Sequence, residues 1–441
     1  MSAATRPARP TRPRNVTAAV LGLWLVLLFA LGSGDAGAQP SGGTIRVLAS
    51  WTGAEASAFR RVLDAFTEEH HIRVEYQGTT ALREVLLSEV RSGTPPDIAV
   101  LPSSGELTAY AARGYLAELD EVVPAEYPPL WTPRLPENGP VYGIAVKADL
   151  KSIVWYDGTR HTPGDLPALA ADSRQWCVGM GDGATSGWPG TDWIEDILLR
   201  LQGKEVYEQW ASGDLAWDDP RVEEAWRTWG ELLSGPAART ALRTDFRAAG
   251  KKLFAQRPSC ALEHQGSFIR GGYAPHSRQA RFGFSADVLR LPGSPPGAYE
   301  VSGDFAALFK NTGHTGQALE LMRYLATAKG QQAWAEETPR GSTRPFSANS
   351  KVPVTVQTDG VARSIARTLK SSSLCLDASD AMPPRMRLAF QRAALTFLSY
   401  SAADKEKRLG TLLGSLEKVH QSTEHSALPD EAQPWPSTVC G

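Results

Sequence analysis

A glycine-rich segment that carries two tryptophans and an aspartate has the clearest capacity for chemistry in this sequence. It reads CVGMGDGATSGWPGTDW, from Cys177 to Trp193. Glycine and proline favour loops and let the backbone approach another group closely, and an indole normally needs a face to cover. The segment is therefore interpreted as a loop that is either a lid on a core or the wall of a binding site. In the second case Trp188, Asp192 and Trp193 are candidate ligand-binding residues. Two alternatives stay open: Trp193 packs in the core, or Asp192 caps the helix predicted at WIEDILLR.

Alternating strands and helices are predicted upstream of this segment. TIRVLAS, IRVEYQG and PPDIAVLPS are typical of strands, and the stretches between them place apolar residues at helical spacing. Such alternation predicts a parallel sheet with helices on both faces, and ligands bind beyond the carboxyl ends of its strands. Trp51, Thr79 and Ser103 lie at those ends, so we predict that they line a ligand site. Thr79 and Ser103 have the alternative of capping the helices that follow them.

The pattern changes near residue 150 and returns near residue 303. YGIAVKADLKSIVWYD predicts two strands, a tryptophan-rich helical region follows, and VSGDFAALFK predicts another strand before one long helix over TGQALELMRYLATAKGQQAWAEE. Two further segments offer polar side chains to a cleft. EHQGSFIRGG carries His264 and Gln265, and TPRGSTRPF carries Arg340 in the loop after the long helix.

Composition and missing motifs exclude several classes of function. The chain has 441 residues and a formal net charge of -2, so no basic excess indicates nucleic acid. No GxGxxG follows the first strand and no GxxxxGK[ST] occurs, which disfavours a dinucleotide or phosphate site. Neither a CxxC nor a Cys/His spacing typical of zinc is present, and the neighbouring His70 and His71 diverge on any helix or strand. We therefore predict no cofactor and no metal.

The N-terminal 38 residues have the features of a signal peptide. Four arginines precede the apolar run VTAAVLGLWLVLLFALG, and AGA at Ala36 to Ala38 has the small-x-small form of a cleavage site. We predict export to the cell exterior or surface, with an uncleaved N-terminal anchor as the alternative. No lipobox cysteine lies at the cleavage site. An oxidising compartment favours disulfides among Cys177, Cys260, Cys375 and Cys440.

Several motifs together resemble the extracellular solute-binding proteins of ABC importers. SGTPPDIAVLPSSGELTAYAARGYLAELDE resembles the family's N-terminal signature, while GWPGTDWIEDILLR, EVYEQWASGDLAWDDPRV, CALEHQGSF and DASDAMP resemble its α-glucoside-binding branch. The resemblance implies an α/β, two-lobe periplasmic-binding-protein-like fold of type II, with a ligand cleft between lobes joined by a hinge. On this basis we predict an N-terminal lobe of residues 39–149 and 304–350, and a C-terminal lobe of 150–303 and 351–441.

The resemblance also gives the candidate residues a ligand. A sugar presents C–H faces, on which tryptophan stacks, and hydroxyl edges, which Asp, Arg and amides bind. We expect a monomer that captures an α-glucoside or another oligosaccharide and delivers it to a membrane permease. A polyol or other small solute, and a role beside a signalling receptor, stay open as alternatives.

A secreted glycoside hydrolase is the competing class. It requires two carboxylates roughly 5–10 Å apart across the scissile bond. Asp192 and Glu195 share one helical turn, no matched acid is evident elsewhere, and there is no GxSxG motif. We therefore predict binding without catalysis.

The disulfide pairing follows from which segments each cysteine adjoins. A Cys177–Cys260 bridge would hold the tryptophan segment beside ALEHQGSF, so that both candidate binding segments stay together. Cys375–Cys440 then follows by elimination.

Overall fold

The structure is a computed structural model that describes residues 43–125, 127–135, 138–291, 297–339, 342–424 and 434–441. The predicted signal peptide and Arg340 lie outside these residues. Within the described ranges, no helix combines the length and the apolar character needed to span a membrane.

The described residues form nine strands and fifteen α-helices. The strands are β1 (Ile45–Ala49), β2 (Val74–Gly78), β3 (Ile98–Leu101), β4 (Gly143–Leu150), β5 (Ile153–Asp157), β6 (Glu263–His264), β7 (Ala280–Phe284), β8 (Tyr299–Leu308) and β9 (Leu374–Leu376). The helices are α1 (Gly53–His70), α2 (Leu82–Arg91), α3 (Ser104–Ala112), α4 (Leu166–Ala170), α5 (Trp188–Ala211), α6 (Pro220–Leu232), α7 (Gly235–Ala241), α8 (Phe246–Ala249), α9 (Ser285–Leu289), α10 (Thr315–Ala326), α11 (Ala328–Glu337), α12 (Gly360–Ser371), α13 (Ala378–Ala381), α14 (Pro384–Ser399) and α15 (Ala402–Glu424).

The strands form two sheets. The larger sheet has the order β2-β1-β3-β8-β4, with β9 paired to β8, and the smaller has the order β6-β5-β7. The predicted parallel arrangement is confirmed for β1, β2 and β3. The prediction did not extend to the later strands: β8 pairs antiparallel to β3, and β4 pairs antiparallel to β8. The sheet is mixed because β8 enters it from the opposite end, after the chain has visited the smaller sheet.

The chain passes between the sheets where β4 ends and again before β8, and the β4–β5 connection lies beside the start of β8. Lys151 and Ser152 link β4 to β5, and β8 begins where the chain returns. Glu300 on β8 donates its backbone N–H to Ser152 Oγ at 2.8 Å, and its carbonyl accepts from the Lys151 N–H at 2.8 Å. These bonds hold the two crossings together at one place.

Helix α5 begins earlier than the sequence predicts. Gly187 precedes it with φ 106°, and a Cβ at this glycine would lie 2.3 Å from the Gln391 carbonyl oxygen. Since only glycine tolerates both conditions, the chain turns into the helix at Trp188. The prediction of a loop up to Trp193 is therefore wrong for its last six residues. Asp192 lies inside the helix, so the alternative that it is an N-cap is also wrong.

The predicted long helix after β8 is two helices. It breaks at Thr327, whose hydroxyl oxygen accepts from the Gly330 N–H at 3.0 Å and so caps α11. A Cβ at Gly330 would lie 2.2 Å from the carbonyl oxygen of Tyr324. The break allows α10 and α11 to take different directions.

Both predicted disulfides are present. Cys177–Cys260 joins the segment before α5 to the residues that precede β6, and Cys375–Cys440 joins β9 to the C-terminal residues. Backbone bonds support the first bridge, because the Cys177 N–H donates to the Leu262 carbonyl at 2.7 Å. Most tryptophans of the region 155–229 are core residues. Trp155, Trp193, Trp210, Trp217, Trp226 and Trp229 are fully buried.

Candidate functional site

Trp188 is half-buried at the start of α5, and its ring is held by three neighbours. The indole N–H donates to the Asp182 carboxylate at 3.0 Å. Phe246 contacts the ring edge-on at 4.8 Å between centroids, and Phe268 lies at 5.9 Å. An aromatic ring fixed in this way and still partly exposed can present a flat apolar surface to a ligand.

A buried ammonium group lies beside this ring. Lys151 Nζ is 5.7 Å from the centroid of Trp188 and 3.1 Å from the Asp192 carboxylate. It also donates a hydrogen bond to Asp377 and lies 3.8 Å from Asp380 Oδ2. Burial by itself would lower the pKa of Lys151, but the surrounding carboxylates hold that pKa well above its usual value. Lys151 therefore remains charged and fixes the acids around it.

Asp380 and Arg387 extend this polar row. The Asp380 side chain is 29% exposed, and burial together with the nearby Asp377 charge raises its pKa to about 7. Arg387 Nη1 lies 3.8 Å from Asp380 Oδ1 and donates to Ser103 Oγ at 2.7 Å. Arg387 also pairs with Glu106. Asp380 is thus the most exposed carboxylate of the row, with a charged donor on either side.

A second polar group surrounds Trp51. The Trp51 indole N–H donates to Asp304 at 3.3 Å, and Lys147 Nζ lies 3.6 Å from Asp304 and 3.3 Å from Asp149. Asp149 in turn accepts from Ser267 Oγ at 2.6 Å. Burial raises the pKa of Asp304 to about 6, against the effect of Lys147. Ser267 directly precedes Phe268, which contacts the Trp188 ring, so this group adjoins Trp188.

Four of the predicted site residues belong to these two connected groups: Trp51, Ser103, Trp188 and Asp192. Ser103 also accepts from the Glu106 N–H at 3.2 Å, which is the capping role left open as its alternative. Asp192 is only 3% exposed, and burial, despite Lys151, holds its pKa well above the usual range.

The other predicted residues have structural partners. Trp193 is 1% exposed and packs edge-on against Trp176, which favours the core alternative. The buried His264 lies 3.0 Å from Asp196 through Nε2 and contacts the Trp193 ring. Gln265 is buried, and its backbone carbonyl accepts a hydrogen bond from the Trp155 indole N–H at 2.9 Å.

Thr79 lies next to the end of β1. It is half-buried, and its hydroxyl oxygen accepts from the Ala81 N–H at 3.1 Å. This bond is a local turn and not the predicted cap, because α2 begins at Leu82 without a side-chain cap bond. Its own N–H donates to the Ala49 carbonyl at 3.0 Å, two residues from Trp51. The backbone of Thr79 is therefore bonded to β1 close to Trp51, but the contact of its hydroxyl is local.

The sequence reasoning missed Lys151, Asp182, Asp380 and Arg387. No spacing connects them, because they come from the β4–β5 crossing, the segment before α5, α13 and α14. The one available signal was DASDAMP, a motif with the character of the α-glucoside-binding branch, which contains Asp380.

Comparison with solved structures defines the class of fold. The solute receptor AcbH, described with an exclusive preference for β-D-galactopyranose, superposes with a TM-score of 0.67 at 17% identity, covering 86% of this chain and 99% of that chain. The maltose-maltodextrin-binding protein of Alicyclobacillus acidocaldarius gives a TM-score of 0.62 at 14% identity, covering 86% and 100%. The fold is thus the two-lobe α/β fold of type II periplasmic binding proteins, as predicted.

Sequence comparison then gives the family. The chain belongs to the bacterial extracellular solute-binding proteins, whose family model matches residues 50–332. An osmoprotective compounds-binding protein of Synechocystis sp. is 30% identical over 370 residues, 77% of this chain and 84% of the relative. The α-glucosides-binding periplasmic protein AglE of Rhizobium meliloti is 29% identical over 339 residues, 67% of this chain and 71% of the relative. The predicted family is confirmed, and its members are solute-binding proteins of the cell exterior.

Proposed function

We propose that this chain captures a carbohydrate, first of all an α-glucoside, and delivers it to the permease of an ABC importer. The observation that carries the proposal is the half-buried Trp188 ring, fixed by Asp182, next to the row Lys151, Asp380 and Arg387. An indole face suits the C–H surface of a pyranose, and alternating donors and acceptors suit its hydroxyls. The α-glucosides-binding relative supports the choice of ligand.

The proposed lobes divide the site between them. With 39–149 and 304–350 as one lobe and 150–303 and 351–441 as the other, Trp51, Ser103 and Glu106 belong to the first. Trp188, Asp380 and Arg387 belong to the second. The Arg387–Ser103 and Arg387–Glu106 contacts then connect the lobes across the cleft. We infer that ligand entry opens these contacts by a hinge motion at the two sheet crossings and that closure restores them.

The test is a calorimetric screen of maltose, trehalose, sucrose, polyols and amino sugars, with intrinsic fluorescence as a second readout. Trp188→Ala removes the stacking face, and we expect a loss of affinity on the order of 1–3 kcal/mol. Trp435→Ala, which removes an indole that packs against His420, is the control and should keep the affinity of the parent. Equal affinities for the parent and Trp188→Ala would refute the site. No binding of any sugar by the parent would refute the ligand class.

An osmoprotective compound is the second candidate ligand, because one relative is named for that activity. The polyols in the same screen separate the two candidates. Tighter binding of a polyol than of any α-glucoside would favour the second.

Export and the absence of turnover complete the proposal. If the chain is cleaved after Ala38, the exported protein begins Gln39-Pro40-Ser41, which N-terminal sequencing checks. An intact N-terminus on membrane-bound material would support the anchor instead.

Light scattering should give the mass of a monomer. Incubation with the best-bound sugar should release no monosaccharide, since Asp192 and Glu195, the acids closest to a hydrolase pair, are both buried.

A further inference from the structure

Three buried carboxylates converge beside the crossings between the sheets. Asp192 on α5, Glu300 on β8 and Asp377 before α13 each offer an oxygen, and these oxygens all lie within 4.8 Å of one another. The three residues are 3%, 0% and 1% exposed. We call them the carboxylate triad. Acids that approach so closely in the interior repel one another strongly unless a positive charge or protons neutralise them.

Glu300 is the member that protein contacts leave unexplained. Its backbone N–H and carbonyl are bonded to Ser152 and Lys151, so β8 fixes its position. Neither of its side-chain oxygens has a hydrogen-bond partner within the described part of the chain, although the residue is fully buried. A buried carboxylate without a partner is costly. Its oxygen lies among those of Asp192 and Asp377, so the side chain is directed into the triad.

The nearby positive charge is too small for the acids present. Lys151 contacts Asp192 through Oδ2 and Asp377 through Oδ2, and Asp192 Oδ1 has no hydrogen-bond partner in the described residues. Glu195 is also fully buried there, and only its Oε2 accepts, from the Ser379 N–H at 3.2 Å. One ammonium group faces four buried carboxyl groups. The remaining charge requires either a bound cation or shared protons.

We propose that the carboxylate triad binds a hard divalent cation, with Ca²⁺ as the first candidate. All three ligands are carboxylates, the donor set that Ca²⁺ prefers, and neither His nor Cys is among them. Lys151 contacts the Oδ2 oxygens of Asp192 and Asp377, so the unpartnered Glu300 oxygens and Asp192 Oδ1 are the first ligands of the ion. Asp377 completes the set with an oxygen that it shares with its protein donors. Such an ion ties α5, β8 and the start of α13 together where the chain crosses between the sheets. The proposal does not depend on the identity of the sugar.

The test uses the whole mature protein after treatment with EDTA. Calorimetric titration with CaCl₂ near neutral pH should show one site per chain, and Ca²⁺ should raise the Tm. MgCl₂ and MnCl₂ titrations give the selectivity. Glu300→Gln keeps the shape of the side chain but removes its charge. The Ca²⁺ affinity should fall by about 10- to 100-fold or more, because the loss of a residue that only hydrogen-bonds to a metal ligand already has an effect of that size. Glu263→Gln is the matched control: this buried glutamate binds Tyr273 outside the triad, so the variant should keep the affinity.

Two results would overturn the proposal. The first is the absence of both a heat of binding and a change of Tm when the parent protein is titrated with each of the three cations. In that case protons, and not a cation, neutralise the carboxylates. The second is a folded Glu300→Gln variant that binds Ca²⁺ as tightly as the parent. Asp192→Asn replaces Glu300→Gln in the comparison if the latter does not fold, because it removes a second ligand of the same site.

Discussion

Removal of the Lys151 charge should destabilise the protein in a way that depends on pH. Lys151→Met keeps the apolar stem and leaves Asp192 and Asp377 buried without their ammonium partner. Breaking a buried pair from one side costs about 3–5 kcal/mol, so we expect a loss of that size near neutral pH. The measurement is urea unfolding with EDTA present, followed by circular dichroism.

The sign of the pH dependence follows from the carboxyl groups. In the parent, burial alone would raise the pKa of Asp377, but Lys151 holds it below its usual value. Its contribution to stability is therefore present above the pKa of the unfolded chain and is lost as pH falls through the folded pKa. In Lys151→Met, burial raises that pKa instead, so the folded variant favours the protonated acid. The loss of unfolding free energy in Lys151→Met should therefore become smaller as pH falls towards about 4.5. The change is up to about 1.4 kcal/mol per pH unit for each carboxyl group that takes up a proton.

Lys405→Met is the matched control. Lys405 is also buried, but it donates to two carbonyls, Gly230 O at 3.2 Å and Leu233 O at 2.9 Å, and burial lowers its pKa to about 8. Because it is charged in both folded and unfolded chains below that pH, its substitution should cost about 1–3 kcal/mol with little change between about pH 4.5 and 7. A Lys151→Met loss that is equally flat with pH, or absent, would refute the assignment of Lys151 as the cation of these acids.

Two further predictions concern the cross-link and a close helix contact. Replacement of Cys177 and Cys260 by Ala should lower the free energy of unfolding by about 4.5 kcal/mol on the chain-entropy model, given a separation of 83 residues; denaturant curves identical to those of the parent would contradict it. Gly105→Ala would place a Cβ 2.2 Å from the Met382 carbonyl oxygen. We expect a lower Tm, corresponding to a loss of about 1–3 kcal/mol in the free energy of unfolding. The control is Gly410→Ala, at an exposed position in α15 with open space around it, which should stabilise the protein by up to about 1 kcal/mol. A Gly105→Ala variant more stable than the parent would contradict the prediction and show that α3 and α13 can move apart freely.

Local patterns were enough to predict the first three strands and the helices between them. The α1 residues Phe59, Val62, Leu63 and Phe66 follow the helical period and are all buried. In this region each element is short, has one apolar face and is followed closely by the next, so periodicity determines both its type and its buried side. The disulfide pairing was also accessible, because Cys177 and Cys260 adjoin two segments that were both predicted to line the ligand site.

Element ends and strand directions depended on distant contacts. The start of α5 is set by Gly187 against the carbonyl of Gln391, and nothing near Gly187 in the sequence reveals that partner. The antiparallel entry of β8 likewise depends on the path of the chain through the smaller sheet.

The sequence by itself determined the family and the α/β alternation, and it predicted an indole for a ligand at Trp188. The tertiary structure alone decided which charges surround it. In GTDWIED the acidic residues have the composition of a solvated helix end, yet Asp192, Glu195 and Asp196 are all buried. Whether an acid can be buried depends on the charges that meet it in space. Lys151 comes from the β4–β5 crossing, and no local pattern encodes its approach to α5.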